Sequence, residues 1–158
     1  MVAGWQVSGV TTLQSGSPVN ITLSNDQANI GITGQQRPDL IGAVPSLNCV
    51  PDPARPPRLM NCYDASAFAL PAQFTFGNAS RNLLRGPKFV NTDLSFMKNV
   101  PVGPANNEVR LQVRIEIFNV FNTVNWGNPN ASFGSASFGQ ITSAGSMRQV
   151  QLGGKLLF

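Results

Sequence analysis

Residues Glu108–Asn122 read EVRLQVRIEIFNVFN, and the first ten of them alternate between polar and apolar without a break. Val109, Leu111, Val113, Ile115 and Ile117 fall on one side, and Arg110, Gln112, Arg114 and Glu116 on the other. Successive side chains of an extended chain point to opposite faces, so a period of two marks a strand with one apolar face. Three other runs share the pattern: GWQVSGVTTLQ from Gly4, KFVNTDLSFMKN from Lys88, and RQVQLGGKLLF from Arg148 to Phe158. In the last of these, Val150, Leu152, Leu156 and Phe158 share a face, with Lys155 on the other. Helical periodicity appears nowhere. The expected fold is therefore all-β, with about four long antiparallel strands near 4–14, 88–99, 107–121 and 147–158.

Two architectures accommodate strands with one apolar face. In a soluble sandwich that face meets a second sheet; in an outer-membrane barrel it meets lipid, and the polar face lines the lumen. The runs here are about as long as the roughly 9–11 residues that cross a bilayer as a tilted strand, whereas sandwich strands average about 5–6. The connections favour the barrel further. A short Pro/Gly turn, VPVGPAN, joins the second and third runs, while long loops near 15–87 and 123–146 join the others. Long, short, long is the asymmetry of large extracellular loops and tight periplasmic turns. It leaves Phe158 on the periplasmic side.

Charge placement agrees with this reading. A cation facing lipid at mid-membrane costs about 2–4 kcal/mol in a barrel. Arg110, Arg114, Glu116 and Lys155 all lie opposite the aliphatics, as does Asp93 in the second run. They are expected to face the lumen, with Asp93 and Glu116 near Arg114 in an ion pair or hydrogen bond. Lys98 and Arg148 share the apolar parity, but each lies at the end of its run, where a long side chain reaches the interface. Val109, Leu111, Val113, Ile115, Ile117, Leu152, Leu156 and Phe158 are expected to face lipid.

Composition narrows the function classes. The chain has 158 residues, 42% hydrophobic and only 11% charged, against about 25% charged in a soluble domain. Its net charge of +4 comes from scattered basic residues, so no nucleic-acid partner is expected. No apolar run approaches the roughly 18 residues of a membrane helix. No signal peptide is evident either, since Met1 leads directly into the alternating VAGWQVSG. A barrel piece whose export signal lies upstream would read this way.

Further segments resemble a known family. These are YDASAFALPAQFTFGNASRNLLRGPKF from Tyr63 to Phe89, FNVFNTVNWGNPN from Phe118 to Asn130, and FGQITSAGSMRQVQLGGKLLF from Phe138 to Phe158. Together with the opening GWQVSGVTTLQSGSPV they resemble the C-terminal barrel region of TonB-dependent outer-membrane receptors. The closest subgroup is the Oar-like one, which carries a carboxypeptidase-regulatory-like domain. The resemblance spans nearly the whole chain and is weakest from about Asn25 to Asn61. It implies a receptor of about twenty-two strands, a plug domain absent from residues 1–158, and a TonB complex engaged through an N-terminal part also absent. The implied partners are outer-membrane lipid, the rest of the barrel, and the barrel-assembly machinery, to which the terminal Phe158 would present the expected aromatic signal. The implied location is the bacterial outer membrane, and the implied role is uptake or surface binding of a ligand that the motifs do not specify. A structural or adhesive surface protein displaying the long loops is the alternative.

Catalytic and metal chemistry find little support. Without histidine there is no usual triad and no His ligand, and the seven acids are too dispersed to suggest a carboxylate pair. No enzyme activity, cofactor or metal is expected. Cys49 and Cys62, in NCVPDPARPPRLMNC, make a poor metal site alone. In an oxidising compartment they suit a local disulfide worth about 3 kcal/mol, with two free thiols as the alternative. GNASRNLLRG lacks the ending of a phosphate loop. The sequons at Asn20, Asn78 and Asn130 are read as chance matches, and Phe133 and Phe138 as aromatics that pack a loop or sit in the interfacial girdle.

Overall fold

The computed structural model describes residues 4–54, 58–103 and 109–158. Its long strands are β1 (Trp5–Gln14), β2 (Phe89–Pro101), β3 (Arg110–Phe118) and β4 (Gln149–Leu157). They form one sheet in chain order, each antiparallel to the next. Such a meander follows from alternation alone, because pairing neighbours in this register keeps every apolar face on one side. β1 and β4 each have a neighbour on one side only, so the sheet is open at both edges.

The strand ends have local causes. β3 stops at Phe118, short of the expected 121, because Asn119 and Asn122 both adopt left-handed backbone, with φ of 52° at each. Asn tolerates that region better than most residues, and the Asn122 N–H closes the turn onto the Asn119 carbonyl at 2.8 Å. Residues 107 and 108 of the expected third strand lie outside the described residues. β2 runs on to Pro101, whose missing N–H is tolerated at a strand terminus.

The chain divides into two compact units. The sheet unit comprises Met1–Gln14, Phe89–Asn125 and Gly145–Phe158, and the second unit comprises Ser15–Lys88 and Trp126–Ala144. The stretches expected as irregular loops are thus a folded body with its own core. Ile21, Leu23, Leu84 and Ile141 are completely buried there, and Tyr63 and Phe68 nearly so. Burying each such aliphatic contributes about 1.5–3 kcal/mol. Around them Phe133 meets Phe138 edge-on at 5.6 Å and Phe68 at 6.0 Å, so the two aromatics of SFGSASFG pack the core of this unit.

Very short pairings tie this body together: Thr22–Leu23 with Ser132–Phe133 in parallel, and Pro18–Val19 with Leu84–Arg85 antiparallel. A Cβ on Gly16 would lie 1.8 Å from the Gly86 carbonyl oxygen, so only glycine fits that crossing. Val50–Pro51 pairs with Leu59–Met60, and a disulfide between Cys49 and Cys62 closes this hairpin. Cys62 is fully buried and its N–H donates to the Gly139 carbonyl at 2.9 Å. A three-residue 3-10 turn, Ala65–Ala67, is capped by Asp64. Among the described residues no helix is long and apolar enough to cross a membrane.

Candidate functional site: a sheet with two chemically distinct faces

Directly opposed residues of an antiparallel pair share a face, so the registers define rows across the sheet. One row runs Val7, Phe96, Ile115, Leu152; the next runs Gly9, Leu94, Ile117, Val150. Towards the short-turn end come Trp5, Lys98, Val113, Gly154 and then Val100, Leu111, Leu156. These rows make one continuous apolar surface, with Val7 61% and Leu152 74% exposed. A patch of that kind on a water-soluble monomer would be a strong aggregation liability. Val109 lies just before β3, its carbonyl accepting the Val102 N–H at 3.0 Å, and Phe158, one residue past β4, is fully exposed.

The opposite face is polar. Its rows include Gln6, Met97, Arg114, Gly153 and Ser8, Ser95, Glu116, Gln151, followed by Asn99, Gln112, Lys155. Arg110 lies opposite Pro101 and Leu157 on this side. Arg110, Arg114, Glu116, Lys155 and Asp93 therefore occupy one face. The only charge on the apolar rows is Lys98, whose Nζ lies 5.1 Å from the Trp5 ring centroid. A cation over an aromatic ring suits the edge of a membrane, where both groups meet headgroups.

The ion pair expected around Arg114 is not formed among the described residues. Arg114 Nε instead donates to Met97 Sδ at 3.2 Å. Asp93 Oδ1 accepts from Asn91 Nδ2 and from the Asn119 N–H, both at 2.8 Å. Asp93 thus holds the turn after β3 in place through hydrogen bonds.

That turn explains FNVFNTVN, whose structural role was not evident from the sequence. The Asn119 side chain donates to the Thr123 and Ser146 carbonyls and accepts the Thr123 N–H. Asn122 Oδ1 accepts the Arg148 N–H at 3.0 Å. Asn125 imitates a strand neighbour, taking the Val90 N–H at 2.8 Å and donating to the Val90 carbonyl at 2.9 Å. An amide can donate and accept at once, so three asparagines spaced by three residues stitch together the strand ends at the long-connection end of the sheet. The only available signal was that spacing.

In the second unit, burial alone would raise the Asp26 carboxyl, but the N–H groups of Ile30, Gly31 and Asn29 and the Gln36 amide hold it below its ordinary value. Hydrogen bonds from the Ser66 hydroxyl and N–H likewise lower Asp64. Burial pushes the Tyr63 phenol up to about 12, and its hydroxyl donates to the Arg85 carbonyl at 2.9 Å. Each of these groups serves local architecture. Among the described residues no group of three or more His, Cys, Asp or Glu is arranged to hold a metal.

A protein-family profile described as an outer membrane beta barrel domain matches residues 1–151. No curated protein and no solved structure gives a match. An antiparallel meander with one continuous apolar face, matched along almost its whole length by that profile, leads to a single assignment: the chain belongs to the outer-membrane β-barrel domain family and resides in the bacterial outer membrane.

Proposed function

We propose that this chain supplies wall strands and large extracellular loops of a TonB-dependent, Oar-like receptor, contributing to uptake or surface binding of a ligand. The observation that carries the reading is the asymmetry of the connections. Gln14 lies opposite Phe89 and Phe118 opposite Gln149, so both long segments leave and re-enter at one end of the sheet. Only the short 102–109 connection lies at the other. Receptors with elaborate outer loops and minimal periplasmic turns have this arrangement. In this reading Val113, Ile115 and Leu152 face lipid, and Arg114 and Glu116 face the lumen.

The resemblance of Phe118–Asn130 and Phe138–Phe158 to TonB-dependent receptors supports the finer assignment. A plug domain and the contact with TonB would lie in sequence upstream of this chain. The test is to read the gene upstream and to capture the full-length product with the periplasmic domain of TonB. An export signal, a plug domain and saturable capture are expected. A gene without a plug whose product ignores TonB would instead indicate a surface-display protein.

A further inference from the structure

On the polar face, at the end of the sheet where the long connections begin, lies an open cavity of about 390 Å³. It is lined by Phe89, Asn91, Asp93, Phe118, Met147 and Gln149, among others, all within the sheet unit. Its wall is rigid. Asn119 and Asn125, which also line it, have their side-chain amides engaged by the hydrogen bonds described above.

Asp93 is different. Both of its hydrogen bonds land on Oδ1, so Oδ2 accepts none among the described residues. Among the described residues it is also the only charged one lining the cavity, although the chain as a whole carries +4. Phe89 and Phe118 keep 38% and 40% of their surface exposed. A hydrogen-bonded carboxylate with no counter-charge among the described lining residues, bordered by two phenyl rings, matches the chemistry of an organic cation. The carboxylate takes the N–H donors, and the rings take the cation's field and its apolar stem. A metal ion would require several more oxygen ligands. A neutral sugar could use the Gln149 amide and the Ser146 hydroxyl, which also line the cavity, but it would leave the Asp93 charge unmatched.

We propose that this cavity is a binding subsite for an organic ammonium group, with Asp93 as the anionic anchor and Phe89 and Phe118 as the apolar walls. The proposal rests on the receptor reading, in which this face lines the lumen and meets the ligand.

The probe is 1,5-diaminopentane, titrated calorimetrically at low salt into the full-length protein in a nonionic polyoxyethylene detergent. Saturable binding is expected, while 1-pentanol and maltotriose give none. Asp93→Asn keeps an acceptor for the Asn119 N–H but removes the charge, and should weaken binding about 10- to 100-fold, the size of a charge-assisted hydrogen bond. Phe118→Ala should weaken it about 2- to 30-fold. Heat-modifiable gel mobility reports whether each variant has folded, and Phe118→Ala decides the matter if Asp93→Asn has not. Absence of saturable binding, an unchanged affinity in a folded Asp93→Asn, or equal binding of 1-pentanol or maltotriose overturns the proposal. Separate labelling of cysteines placed at Gln151 and Leu152 with a lipid-phase reagent tests the lumen assignment alone. Labelling at Leu152 only, with no diaminopentane binding, rejects the subsite and leaves the receptor reading standing.

Discussion

Replacing Ile115 with arginine should destabilise the barrel by about 2–4 kcal/mol, the cost of a cation on the lipid face at mid-membrane. The depth follows from the structure. β3 has nine residues, which at about 3.4 Å each and a tilt of about 40° span about 23 Å, close to the apolar band of a barrel. Arg114 is the fifth residue of β3, so Ile115 lies about 2.5 Å from the midplane. It is flanked by Phe96 and Leu152 in its own row, with no acidic neighbour there to offset the charge. Gln151→Arg serves as the control, because it enters the polar face opposite Glu116 and should change stability by no more than about 0.5 kcal/mol. Both variants are compared with the parent by reversible denaturant titration of the full-length protein in phospholipid vesicles. The expected penalty for Ile115→Arg is about 30- to 900-fold in the folding equilibrium. Equal penalties at the two positions would refute the assignment of faces.

Without detergent, the isolated chain should sediment as a heterogeneous associated species, because its apolar face and both sheet edges are open; a sharp, cooperatively melting monomer would contradict this. Protein exported past the inner membrane should carry the Cys49–Cys62 bond, shown by intact mass after alkylation with and without reductant, and two alkylated thiols in unreduced protein would count against it. Tyr63 is the only tyrosine among residues 1–158, so in a full-length protein whose other tyrosines are replaced by phenylalanine, ultraviolet titration should show its phenolate appearing near pH 12 while the protein is folded, instead of near 10. Since folding raises this pKa, its contribution to stability is complete below pH 10 and is lost as pH rises from 10 to about 12. A half-ionisation at pH 10 in folded protein would mean the phenol is exposed.

The sheet was legible because its information is local. In EVRLQVRIEI each residue's face follows from its neighbour's, and the apolar parity found in one run recurs in the other three. The second unit was not legible, because its core is assembled from distant single residues. Ile21 and Leu84 are buried in one cluster and Ile141 is buried elsewhere in the unit, yet none lies in a periodic run, and the strand pairings of this unit are only two residues long. Proline and glycine along Ser15–Lys88 suggested irregular chain when they in fact mark turns and close crossings such as Gly16 against Gly86. Asp93 was expected on the polar face, but its partners were not, since a backbone N–H such as that of Asn119 leaves no trace in composition.

The composition of the second unit also ties its closure to the β2–β3 pairing. Residues 15–88 and 126–144 belong to one body, yet β2 and β3 lie between them in sequence. Its core lacks Ile141, Phe133 and the partner strand of Thr22–Leu23 until the later segment arrives. When β2 and β3 form their hairpin, the loop joining these two segments is shortened, which lowers the entropy lost on closing it. Pairing of β2 with β3 therefore lowers the entropic cost of assembling the loop body, and a lesion that weakens that hairpin is expected to destabilise the body as well, even when every residue of that body is intact.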